Sequence, residues 1–81
     1  MPDYALAKEK SALAEAKSDE ARYHASEASR FLDIAEACAK LEDAECVALN
    51  LQAARNQTTL ASDLAREAQE AADAAHAALE D

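Results

Sequence analysis

Few side chains in this 81-residue chain are able to do chemistry: His24, His76, Cys38, Cys46 and a scatter of carboxylates. Asp73 and His76 stand three residues apart, the spacing at which a carboxylate and an imidazole on one helix share a diiron site in a helical bundle. Such a site also needs several inward carboxylates and a second pair of the same kind. The chain has no second pair. His24 and His76 fall about 20 Å apart along a folded hairpin by helix rise, too far to share an ion. Cys38 and Cys46 lack the tight spacing and further ligands of a structural zinc site, and are read as free, buried thiols of a reducing compartment. Without glycine no phosphate-cradling loop can form, and no hydroxyl is matched with a base beyond what helix periodicity explains. The residues therefore predict no enzyme, no metal and no cofactor.

What the chain does encode is helix. Hydrophobic residues make up 51%, but 24 of them are alanine, glycine is absent and the one proline is Pro2. Alanine, leucine, glutamate and lysine are the best helix formers, so the fold class is all-α. No run of about 18 apolar residues is present to span a membrane, and Met1 to Lys10 lacks the layout of a secretory signal. The expectation is a cytoplasmic protein that does not enter a membrane.

Two heptad lines of small residues run through the sequence. The first is Tyr4, Ala7, Ser11, Ala14, Ser18, Ala21, Ala25, Ala28, Leu32, Ala35, Ala39; the second is Ala44, Val47, Leu51, Ala54, Thr58, Ala61, Ala65, Ala68, Ala72, Ala75, Leu79. Each has the spacing of a coiled-coil contact face. The phase slips by five between Ala39 and Ala44, which predicts a turn at 40–43 with Asp43 capping the second helix. One domain over 1–81 follows, with helices over about 3–40 and about 44–79 packed as an antiparallel hairpin. Facing the seams across it places Leu32 near Ala54 and Ala35 near Leu51. Ser18-Asp19-Glu20 and Asn56-Gln57-Thr58-Thr59 are weak points where the helices would break to give a monomeric bundle of three or four helices instead.

The segment Leu32 to Arg55 resembles the inner part of a tetratricopeptide repeat, with the turn at Lys40-Leu41-Glu42-Asp43 and Leu51 and Ala54 in the second helix. The resemblance implies a helix-turn-helix. Glu42 stands where that family usually has glycine and Val47 where it favours alanine. No second repeat follows, and a solenoid needs about three.

The seams leave apolar residues over near the turn: Phe31, Ile34, Cys38 and Leu41 beside the first, and Cys46, Leu49, Ala53 and Leu60 beside the second. Ala48, Leu64, Ala71 and Ala78 widen the second stripe further. Two helices cannot bury stripes on several faces of each, so the sequence predicts association, as a homodimeric four-helix bundle or within a hetero-assembly. Phe31, Ile34, Leu41, Leu49 and Leu60 are the expected partner-binding residues. The reading is a non-enzymatic helical protein–protein interaction module or small adaptor.

A formal net charge of -9, from 17 acidic and 8 basic residues, disfavours direct nucleic-acid binding. Beyond Arg66 the acids Glu67, Glu70 and Asp73 have no base among them. They would form an acidic partner surface if the chain were instead a small acidic inhibitor, of the phage-encoded kind, seated in the basic groove of a nucleic-acid-binding protein. A third reading is a helical-hairpin cochaperone that covers an apolar helix.

Overall fold

An alanine-rich chain with no interior glycine or proline has no reason to leave the α-helix except where a cap stops it, and it does so once. The computed structural model describes residues 1–80, which form two helices, α1 (Tyr4–Lys40) and α2 (Ala44–Ala78), folded back as an antiparallel hairpin. The hairpin is 63 Å long and only 12 by 11 Å across its Cα atoms. Each helix starts on an aspartate. The Asp3 carboxylate accepts from the Leu6 N–H at 2.9 Å, and the Asp43 carboxylate accepts from the Cys46 N–H at 3.0 Å. Each satisfies one of the orphan donors that every helix start leaves.

The turn is a Schellman motif. The Glu42 N–H donates to the Ala39 carbonyl at 3.0 Å and the Asp43 N–H to the Cys38 carbonyl at 3.1 Å. This closure requires a left-handed residue, and Glu42 supplies it at φ 58°. Glycine is the usual choice there because a Cβ costs about 1 to 2 kcal/mol in that conformation. Replacing Glu42 with glycine is thus expected to stabilise the hairpin by about 1 kcal/mol in chemical denaturation; an unchanged midpoint would show that Glu42 is unstrained.

Neither weak point breaks its helix. The hydroxyls of Thr58 and Thr59 donate to the Ala54 and Arg55 carbonyls at 3.0 and 3.1 Å, and Gln52 donates to Asn56 at 3.0 Å. Arg22 donates to Ser18 and Asp19 in the same way. Polar side chains able to compete with the backbone are spent on partners three or four residues away, so the helix continues. The bundle of three or four helices is not formed.

The contact face is rotated from the expected seam. Half of each expected line is inside: Ala7, Ala28, Ala35, Ala54 and Ala75 are buried, and Ala14, Ala21, Ala61 and Ala68 are half-buried. The other half is more exposed, with Leu32 at 51% and Leu51 at 48%. In their place the seam takes Lys10, Lys17, His24, Phe31 and Cys38 from α1 and Asn50, Gln57, Leu64, Ala71 and Ala78 from α2. The reason is amphipathic packing. Lys17 lays its stem along the seam and sends its ammonium to Glu67 at 3.7 Å, and His24 Nδ1 meets Gln57 Oε1 at 2.6 Å. A seam counted in apolar residues alone misses such side chains.

Both ends of the hairpin are tied. Cys38 and Cys46 are joined by a disulfide across the turn, with Cα atoms 5.7 Å apart, so the expected free thiols are absent. At the open end the Asp3 N–H donates to the Ala78 carbonyl at 2.8 Å.

Candidate functional site

The core of this hairpin consists of small side chains. Among the described residues, the buried ones are six alanines and Cys38, and no large side chain is fully enclosed. A buried alanine methyl contributes only about 0.8 kcal/mol against roughly 2 for leucine. Phe31 and Leu64 reach the seam half-buried, and most other large apolar side chains stand on the two faces that flank it.

One face is flat and small. Ala14, Ser18, Ala21 and Ala25 of α1 and Thr58, Ala61, Ala65, Ala68 and Ala72 of α2 line an open groove of about 810 Å³ along the middle of the hairpin. A second hollow of about 380 Å³ near the turn is lined by Ala39, Ala44, Val47 and Leu51 among others. By heptad continuation the same face carries Ser11, Leu32, Tyr4 and Leu79 toward its ends. The groove thus combines half-buried members of the expected seams, Ala14, Ser18, Ala21, Ala61 and Ala68, with exposed ones, Ala25, Thr58, Ala65 and Ala72.

The opposite face carries most of the expected partner-binding residues. Ile34, Leu41, Leu49 and Leu60 are 36%, 80%, 64% and 45% exposed. Phe31 differs, being half-buried at the seam with the Arg30 guanidinium 4.9 Å from its ring centre. Arg30 also donates to both carboxylate oxygens of Glu27 at 2.9 and 3.0 Å. Those hydrogen bonds, with a lesser contribution from the charge of Arg30, hold the Glu27 carboxyl below its ordinary range against an opposing desolvation.

The acidic trio is not base-free in three dimensions. Glu67 pairs with Lys17 of the other helix, Glu70 lies 3.9 Å from Arg66, and Asp73 accepts from Gln69 at 2.9 Å. The antiparallel register that brings Lys17 beside Glu67 gives the offset expected of a lysine on the neighbouring helix, and Arg66, one turn back, adds to it. His76 points away from Asp73 chemistry toward Glu80, 3.6 Å off, with its side chain 80% exposed. Among the described residues no three His, Cys, Asp or Glu side chains gather to hold a metal ion, and no helix is long and apolar enough to cross a membrane.

No family model matches the chain, and no curated protein or solved structure is significantly similar to it. The functional argument therefore rests on the faces themselves.

Proposed function

We propose that this chain is a non-enzymatic helical interaction module that works by presenting apolar helix faces to another helical surface. One observation carries the reading: among the described residues, twelve large apolar side chains stand exposed while the buried core holds only alanines and one cysteine. Ordering each residue costs on the order of 1 to 2 kcal/mol, which alanine contacts barely offset, so burial on a partner is where the missing stabilisation would come from. The turn-proximal Ile34, Leu41, Leu49 and Leu60, with Phe31 beneath, are proposed contact residues. The disulfide favours an oxidising compartment over the cytoplasmic setting expected from the sequence.

The acidic-inhibitor reading draws on the charge of -9, but Lys17 and Arg66 reduce what Glu67 and Glu70 can offer a basic groove. Solution mass by light scattering, with melts repeated across concentration, tests the module. Association predicts a mass above one chain and a melting temperature rising about 4 °C for each tenfold in concentration. A monomer melting cooperatively above about 60 °C at every concentration would be complete alone, and the reading would fail.

A further inference from the structure

We infer that the alanine-lined face takes a second copy of this chain, antiparallel to the first, with a two-fold axis crossing between Ser18 and Ala25 on α1 and between Thr58 and Ala65 on α2. The inference rests on the interaction-module reading and adds a second contact face, with its occupant, to the one that carries Ile34, Leu41, Leu49 and Leu60.

Surface area gives the first argument. A compact globule of this 8.6 kDa mass exposes about 4700 Å², whereas the hairpin exposes 5733 Å², an excess of about 1000 Å². A standard interface takes about 800 Å² from each partner. The excess is thus of the size one further hairpin would cover.

Side-chain size gives the second. In chain order the outward positions of this face read Tyr4, Ser11, Ser18, Ala25, Leu32, Ala39 on α1 and Ala44, Leu51, Thr58, Ala65, Ala72, Leu79 on α2. Reversing each set against itself, as an antiparallel copy does, sets Tyr4 against Ala39, Leu32 against Ser11, Leu51 against Ala72 and Leu79 against Ala44. Every large residue meets a small one, and the layer keeps one thickness from end to end. A parallel copy would oppose α1 to α2 at equal height, stacking Leu32 on Leu51 and Tyr4 on Leu79 and leaving a void between alanines in the middle. Close packing without voids favours the antiparallel arrangement. The midpoints of the two reversed sets also fall level with each other, since Lys17 faces Glu67 and His24 faces Gln57. One axis therefore serves both helices.

Charge gives the third. The edges of this face carry Lys8, Glu15, Arg22 and Glu36 on α1 and Arg55 on α2, with Glu42 and Asp43 at its turn end, a net of one negative charge in a chain of net charge -9. It is the side on which two acidic chains can approach. The same reversal sets Lys8 against Glu36 at both ends.

Ala25 and Ala65 are exposed in the hairpin, so Ala25→Glu and Ala65→Glu should keep full helicity by circular dichroism. Each is expected to weaken self-association by about 100-fold or more, because a carboxylate would be buried unpaired in the interface, while Ala25→Ser should not. Orientation is read by mixing a Ser18→Cys chain with an Ala25→Cys chain under mild oxidation, which should give a covalent dimer. Linkage of Ser18→Cys to Ala65→Cys instead would mean parallel copies and overturn the inference. Self-association that survives both glutamates but is lost in Leu49→Ala would also overturn it, placing the contact on the opposite face and leaving the module reading intact. A single-chain mass at all concentrations would overturn the inference, whereas the module reading fails only if that monomer also melts cooperatively above about 60 °C.

Discussion

Reduction of the Cys38–Cys46 bond lowers the melting temperature by about 10 to 20 °C, the largest effect expected of any local change in this chain. The bond closes a short loop across the turn between α1 and α2, and a loop of about nine residues removes about 2 to 3 kcal/mol of unfolded-state freedom in the chain-entropy account. For a domain of this size each kcal/mol moves the midpoint by about 4 to 8 °C. The thin core has little reserve with which to absorb the loss. Melts of the wild type with and without dithiothreitol, beside a Cys38→Ser/Cys46→Ser variant, make the test. The reduced wild type and the variant should coincide. A shift below about 3 °C would show that the Schellman turn and the Asp43 cap hold this end without the bond.

Leucine in place of Ala54 should destabilise the hairpin by about 1 to 3 kcal/mol, although it adds hydrophobic surface to a core that lacks it. Ala54 is 4% exposed and lies level with Ala28, at 6%, in the register set by His24 and Gln57. Burying three more carbons would gain about 0.8 kcal/mol each if room existed. Making room means parting the helices, which would stretch the His24–Gln57 and Lys17–Glu67 contacts and strip the neighbouring alanines of theirs. Denaturant titration decides between the two effects. A higher midpoint for Ala54→Leu would mean that the seam is slack and that the small residues are not there for closeness.

Much of this fold is legible in the sequence, at particular residues. Asp43 declares its cap by type and place, and the phase slip between Ala39 and Ala44 marks the turn. The heptad lines through Ala7 to Ala35 and Val47 to Ala75 fall on the contact side. The half-turn beside them was misread because Lys17, His24 and Gln57 do not count as apolar, yet they pack by stem or ring and pair by their polar ends. The cysteine bond was also available. Cys38 and Cys46 stand four residues to either side of Glu42, so a hairpin turning there brings them together, which an expectation drawn from compartment alone does not show. What covers the alanine face is not written in one chain's pattern of polar and apolar residues. It becomes visible only when the face is laid against its own reverse.

The hydrogen bond from Asp3 to Ala78 gives the molecule a further property. It brings the start of α1 and the end of α2 to one point, while the turn lies at the far end of a 63 Å rod. Anything fused to either end would leave from the same base, and a host protein could carry the hairpin in a surface loop with almost no loop-closure cost. Geometrically it is an arm, rooted at one spot and carrying its bond-locked tip, with Leu41 80% exposed, several nanometres away.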